Sequence, residues 1–241
     1  MIDARKRALA KAISWRAIAS IVLGLITWEF TGNLKSTALI TVFYTLVQIF
    51  LYFQHERLWN HVSWGRTKGL FIQMTGMSGA GKTSISRAVA ERLRRNGHKV
   101  ELIDGDEYRK NVSRDLKFSQ KDRLENIHRL GFIGRVLERN NVISILAAIN
   151  PYESARKDLV DAGALTVYVR CSLDELKRRD PKGLYRRALL EDGHPEKVNN
   201  FTGISDPFEE PENPDIILDT ENETLKQSAD KLYHFILKKA S

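Results

Sequence analysis

The eight residues Gly76-Met77-Ser78-Gly79-Ala80-Gly81-Lys82-Thr83 limit what this chain can fold into more than any other feature, since they fit the pattern GxxxxGK[ST] without a mismatch. The pattern works only between a strand and a helix. Its glycines turn consecutive backbone N–H groups inward on phosphate oxygens, and the helix N-terminus adds the positive end of its dipole. Both flanks are legible. A short apolar run, LFIQM (Leu70 to Met74), leads in; Ile85, Val89 and Leu93 follow at helical spacing, and Gly97 after Asn96 is a natural stop. Gly76, Ser78, Gly79, Ala80, Gly81, Lys82, Thr83 and Ser84 are therefore expected around the phosphates of a nucleoside triphosphate. Lys82 falls on the β and γ phosphates and the Thr83 hydroxyl on Mg²⁺.

Four further apolar runs alternate with helical stretches: VELI (Val100 to Ile103), VISILAAI (Val142 to Ile149), LTVYV (Leu165 to Val169) and DIILD (Asp215 to Asp219). A last helix carries Leu225, Ala229, Leu232 and Ile236. This alternation implies an α/β fold, a parallel sheet of the P-loop NTPase type with helices on both faces. Ligands of such sheets collect outside the carboxyl ends of the strands. Asp104, Asp106 and Asn150 lie at those ends. A carboxylate there holds Mg²⁺, directly or through water, or takes the proton of an attacking hydroxyl, so Thr83, Asp104 and Asp106 are candidate metal ligands and Lys82, Asp104 and Asp106 candidate catalytic groups. A helix cap or ordinary turn residue is the competing reading for either aspartate.

Charge divides the chain. Residues 1 to 68 carry nine basic and three acidic side chains and all four tryptophans, Trp15, Trp28, Trp59 and Trp64, whereas residues 69 to 241 carry 29 basic and 27 acidic. A pI near 9.5 would ordinarily raise nucleic-acid binding, but a balanced body with a basic, Trp-rich head points to a membrane surface and away from nucleic acid. Ser36 to Gln54 is an uncharged run of 19 residues, close to the roughly 20 that cross a bilayer as a helix. The earlier uncharged run, Ala17 to Trp28, has only 12 residues and spans only if Arg16 and Glu29 snorkel to opposite interfaces. Residues 1–66 are thus expected to form a transmembrane hairpin, with helices at about 12–30 and 36–54 contacting lipid over residues 12–54, ahead of a second domain at 67–241. Five basic residues (Arg5, Lys6, Arg7, Lys11, Arg16) precede the first stretch, three (Arg57, Arg66, Lys68) follow the second, and Lys35 alone lies between. Both ends then face the cytoplasm, the hairpin sits in the inner membrane, and a soluble helical hairpin is the alternative. WEFTGNLK after the first stretch reads poorly as a signal-peptide cleavage site. The single cysteine, Cys171, rules out an internal disulfide.

The body carries a denser signature: TGMSGAGKT, LIDGDEYR, RDLKFSQKDRLENIHRLG, RRDPKGLYRRA and NNFTGISDPFEEPENPDIILDT. Together, over Phe71 to Thr220, these resemble the adenylylsulfate kinase family, which moves the γ-phosphate of ATP to the 3′-hydroxyl of adenosine 5′-phosphosulfate (APS) to make PAPS in sulfate activation. The resemblance implies ATP and Mg²⁺ as cofactors and APS as acceptor. It implies that Arg109, Arg123 and Asn126 hold the acceptor's sulfate and phosphate, that Phe118 and Phe201 stack on its adenine, and that Ile149 and Asn150 border it. Arg178 to Gly203 is basic, bounded by glycines and without strong periodicity after Leu190, so it reads as a mobile lid, or else as a solvated basic loop; the resemblance makes Lys182 its preferred cation, with Arg179 and Arg186 weaker ones, and implies a tendency to pair as a homodimer. Planar guanidinium groups suit such a dianion. The head resembles an uncharacterised two-helix membrane family through KAISWRAIAS, TGNLK, YFQHERLWN and SWG.

Three departures from the kinase pattern stand out. Asn150-Pro151-Tyr152 replaces Ser-Pro-Tyr, which removes any phosphoserine step and predicts direct transfer. Lys110, Asn111, Val112 and Ser113 replace His-Gly-Leu-Asn, and the lid carries extra residues around LLEDGHPEK. A kinase for another nucleotide acceptor, such as cytidine diphosphoramidate, and a non-catalytic ATP-binding membrane adaptor are the alternatives.

Overall fold

The computed structural model describes residues 2–61 and 68–240, which fall into two compact units, Met1–Arg66 and Thr67–Ser241. Trp64 and Arg66, the residues at the expected domain boundary, and the side chains of Arg5, Lys6, Arg7, Lys11 and Trp59 lie outside the described residues.

The first unit is two helices, α1 (Ile2–Thr31) and α2 (Leu34–His61). Gly32 turns between them with φ +60°, and Asn33 caps α2, its Oδ1 accepting from Lys35 N at 2.9 Å. Both helices outrun their apolar stretches, because the flanking Ala, Lys, Arg, Gln and Leu residues favour helix whether or not they contact lipid. Among the described residues one segment, Leu34–His55, is long and apolar enough to cross a membrane. The Arg16 guanidinium donates to Gln48 Oε1 on α2, whose amide donates in turn to Tyr44 Oη at 3.0 Å. Apolar side chains such as Leu25, Phe30, Leu39, Phe43 and Phe50 are exposed on this unit.

The second unit is an α/β body. Five strands, β1 (Leu70–Thr75), β2 (Val100–Asp104), β3 (Ile143–Ala147), β4 (Leu165–Arg170) and β5 (Ile216–Asp219), form one all-parallel sheet in the order β2-β3-β1-β4-β5. Every residue of β1 is buried, as a central strand covered on both faces requires. Its alternation sorts the core. Leu70, Ile72 and Met74 face a cluster with Ile85, Val89 and Leu93 of α3 (Lys82–Arg95) and Leu232 and Ile236 of α9 (Leu225–Ala240). Phe71 faces the other way, onto Ile127 and Leu130 of α5 (Gln120–Arg139) and Leu159 of α6 (Glu153–Asp161). Each such fully buried side chain contributes about 1.5–3 kcal/mol.

Two local details set the helices. α5 lies so close to the sheet that a Cβ on Gly134 would come within 2.4 Å of the Phe71 ring. α9 begins with a reciprocal cap between Thr224 and Gln227, Thr224 N donating to Gln227 Oε1 at 2.8 Å and Gln227 N to Thr224 Oγ1 at 3.3 Å. That start leaves Leu225 exposed, so the apolar face of α9 runs through Ser228, Leu232, Tyr233, Ile236 and Ala240 and not, as expected, from Leu225.

The short helices α4 (Gly105–Asn111), α7 (Leu173–Arg179) and α8 (Leu184–Ala188) complete the unit. With three strand tips, β1 to β3, ending beside one another, everything needed at the carboxyl edge is carried by the turns that leave those tips.

Candidate active site

β1 runs into the glycine-rich turn, and α3 starts at Lys82. Gly76 adopts φ +151°, and a Cβ there would stand 2.4 Å from Val169 O, so only glycine fits between the turn and β4. Gly81, φ +99°, immediately precedes α3. Ala80 is fully buried, Ser78 and Gly79 half-buried, and Ser84 exposed in the first turn of α3.

Lys82 folds back on the turn, Nζ donating to Gly76 O at 2.7 Å and Met77 O at 2.8 Å. Burial pulls its pKa from 10.5 to about 7; Asp106 and Asp104 oppose that shift and Lys182 adds to it. A cation held only by carbonyls is poised for anionic oxygens.

The tip of β2 supplies the carboxylates. Asp104 caps α4, its Oδ1 accepting from Asp106 N at 3.0 Å and Glu107 N at 3.3 Å. Its Oδ2 accepts from Thr83 Oγ1 at 3.0 Å. The cap reading and the metal-site reading of Asp104 therefore coexist, one on each oxygen. Asp106 points outward and pairs with Lys182 at 2.8 Å. Partial burial pushes the Asp106 carboxyl up, but Lys182, with Lys82 and Arg109 behind it, outweighs this and holds it below the usual range. Among the described residues no group of three or more His, Cys, Asp or Glu side chains forms a metal cluster. The Thr83 hydroxyl and the two aspartates are instead the sparse, all-oxygen set that suits Mg²⁺, which takes its remaining ligands from water and phosphate.

The candidate acceptor residues divide. Arg109 donates to Lys117 O at 2.7 Å and lies 4.8 Å above the exposed Phe118 ring. Arg123 is buried and already engaged, with Nε on Phe118 O at 3.1 Å, Nη1 on Thr202 Oγ1 at 2.8 Å and Nη2 on Asn200 O. It holds the loop that carries Phe201. Phe201 itself is only 7% exposed and meets Tyr185 edge-on with centroids 4.9 Å apart. Asn126 and Asn150 are both buried, and in each Oδ1 has no partner. Asn150 takes φ +43°, and its Nδ2 donates to Gln73 Oε1 at 3.0 Å. Ile149 O accepts from Thr75 Oγ1 at 2.9 Å and Gly76 N at 3.3 Å, tying β3 to the turn.

The expected lid is not a detached loop. Arg178 belongs to α7, Tyr185 and Ala188 of α8 are buried, and Tyr185 Oη donates to Ser78 O at 2.8 Å. Arg179 is taken up by Glu175 at 2.7 Å and Thr220 O at 2.7 Å, whereas Arg186 and Lys182 are exposed. Sequence reasoning missed Tyr185, and it missed Gln73 and Arg156. Gln73 Nε2 donates to Arg156 O and Thr166 Oγ1, both at 3.0 Å, beneath Asn150. A lone polar residue inside LFIQM was the available signal.

Comparison with known proteins places this geometry. Residues 68–219 match the family model described as adenylylsulphate kinase, and residues 9–60 match one described as a predicted membrane protein (DUF2061). The body is similar to the adenylyl-sulfate kinase of a Picosynechococcus species, 43% identical over 68% of this chain and 92% of that protein. It is likewise similar to that of Halothermothrix orenii, 40% identical over 71% and 91%. Among solved structures, the Mycobacterium tuberculosis APS kinase CysC in complex with AMPPNP and APS matches with a TM-score of 0.64 at 33% identity, covering 71% of this chain and 98% of that one. A hexameric APS kinase from Thiobacillus denitrificans matches at 0.51 and 27%, covering 72% and 29%.

Proposed function

Since the chain belongs to the adenylylsulphate kinase family, we propose that it transfers the γ-phosphate of ATP to the 3′-hydroxyl of APS, giving ADP and PAPS, while its head tethers it to a membrane. The observation that carries the chemical half is the Thr83–Asp104 contact of 3.0 Å beside Asp106, at the mouth of a glycine-rich turn whose lysine is held only by carbonyls.

The residues divide the work as follows. Lys82 exchanges the Gly76 and Met77 carbonyls for phosphate oxygens. Thr83 and Asp104 would hold Mg²⁺, which would supply charge neutralisation on the phosphates. Arg109 and Phe118 receive the sulfated nucleotide, with Arg123 keeping the Asn200–Thr202 segment in place behind it and Asn126 and Asn150 offering buried acceptor oxygens. Asp106 takes the proton of the 3′-hydroxyl as the bond from that oxygen to phosphorus forms and the bond to the β-phosphate oxygen breaks. Lys182 leaves Asp106 for the transferring phosphoryl group and helps exclude water. Asn150 carries no hydroxyl, so transfer is direct.

For the head, the exposed apolar side chains of α2, the span Leu34–His55 and the match to a predicted membrane protein family support insertion. The excess of basic residues at both ends supports a cytoplasmic body, and its near-neutral charge a small-molecule and not a nucleic-acid partner. The hexameric relative supports self-association without fixing its order.

Full-length protein incubated with ATP, Mg²⁺ and APS is expected to form PAPS and to fractionate with membranes. No turnover of APS alongside ready turnover of cytidine diphosphoramidate would reassign the acceptor, and ATP binding without any transfer would make the chain an adaptor.

A further inference from the structure

Residues 77 to 79 of the glycine-rich turn are backed by one downstream stretch. A Cβ built on Gly79 would lie 3.6 Å from Pro181 and 3.7 Å from Leu176, and one built on Gly203 would lie 2.9 Å from Met77 Sδ. Between these, Tyr185 Oη bonds Ser78 O at 2.8 Å. A carbonyl can only accept, so the phenol is the donor.

Peptide geometry gives this bond a consequence. The C=O of Ser78 and the N–H of Gly79 share one planar trans unit and point in opposite directions. Drawing the carbonyl to Tyr185 turns the Gly79 N–H to the opposite side of the turn. The bond also disfavours a flip of that unit, because Tyr185 is 2% exposed and its own N–H is held by Asp180 Oδ1 at 3.1 Å.

The same ring meets the Phe201 ring at 4.9 Å and 89°. Phe201 sits in a tight turn whose carbonyl accepts from Ile204 and Ser205 N–H at 3.0 Å and from Asp206 N–H at 3.2 Å. Its neighbours Asn200 and Thr202 hold Arg123. One side chain therefore touches the phosphate turn at its hydroxyl and the acceptor wall at its ring.

We propose that Tyr185 is a positioning residue that aims the Gly79 N–H at the donor phosphates and couples donor binding to acceptor binding through Phe201. This rests on the reading of the Asn200–Thr202 segment as the wall of the APS pocket. Each substrate stiffens one side of Tyr185, so the second binds to a site already ordered.

The test uses the full chain and Tyr185→Phe, which removes one oxygen and keeps the ring. The expected result is a KM for ATP raised about 3- to 10-fold, the range of one neutral hydrogen bond, with kcat changed far less and the melting temperature retained. In parallel, the tightening of APS binding by AMPPNP in the wild type is expected to shrink toward none in the variant. An unchanged KM together with wild-type coupling overturns the proposal, as does a wild type showing no coupling. A variant that merely loses melting temperature and both parameters together also overturns it, since the hydroxyl would then only maintain the fold. Wild-type turnover of APS reports on the kinase reading separately, so that reading survives a failure here.

Discussion

Lys182 Nζ and Asp106 Oδ2 lie 2.8 Å apart, joining the turn between α7 and α8 to the start of α4. Both side chains are largely exposed, at 59% and 78%, and a pair of that kind is worth at most about 1 kcal/mol. A phosphate therefore has little to overcome in drawing Lys182 away. On the proposed reading the bond is a resting arrangement that keeps a cation near the transferring phosphoryl group.

Replacing the charges at this mouth should act on turnover far more than on stability. Lys82→Ala and Asp106→Ala are each expected to lower kcat at least ~10²-fold, because positioning and charge stabilisation supply nearly all phosphoryl-transfer catalysis. Lys182→Ala should cost less, roughly 10-fold, since its side chain is exposed and mobile in charge placement. Steady-state assays with ATP and APS decide; near-normal rates for Lys82→Ala and Asp106→Ala together would refute the site.

The two oxygens of Asp104 can be separated by substitution. Asp104→Asn keeps an acceptor for the α4 cap, so stability should hold while the Mg²⁺ concentration needed for half-maximal rate rises. Asp104→Ala loses the cap as well and should cost about 1 kcal/mol in a denaturant titration. Equal stability loss in both variants would mean that an amide oxygen cannot replace the carboxylate in the cap.

Lys82 makes the nucleotide-free protein sensitive to pH. Its folded pKa, about 7, is below the unfolded 10.5, so between these values the unfolded chain binds more protons. Stability should accordingly rise with pH from about 7 toward 10.5, as the folded lysine sheds a proton that costs it solvation. A bound triphosphate reverses the local field and restores the proton. Calorimetry at pH 8 in buffers of different ionisation enthalpy should show proton uptake on ATP binding, and Lys82→Met should abolish it.

Packing predicts an independent stability effect. Gly134→Ala would drive a methyl group into the Phe71 ring, 2.4 Å away, and both helix and strand are buried there. A loss of about 1–3 kcal/mol is expected from overpacking, measured by thermal or chemical unfolding, with KM values unaltered. A neutral substitution would mean that α5 can lift off the sheet at no cost.

Removing the head tests the division of the chain. The fragment 67–241 should stay in solution and retain kcat within about two-fold, while the full chain floats with phospholipid vesicles. An inactive but folded fragment would make the head part of the catalytic unit.

Much of this was legible in one dimension because its determinants are local. The glycine-rich turn requires a strand and a helix on either side, and the alternation of apolar runs in the body left a parallel sheet as the consistent arrangement. The positions of Lys82, Thr83, Asp104 and Asp106 followed from their distance to strand ends. The Arg16–Gln48 contact was not legible, because the two residues are 32 positions apart, a separation at which no periodicity speaks.

The sequence by itself determined the sheet, the glycine-rich turn and the carboxylates at its edge, since each depends on residues within a few positions of one another. Only the tertiary structure decided that Tyr185 would reach Ser78 across 107 residues and Arg123 would hold Thr202 across 79. Those contacts form where separate turns converge on one edge of the sheet, and what brings them there is the burial of apolar surface on two faces at once, which no single segment encodes.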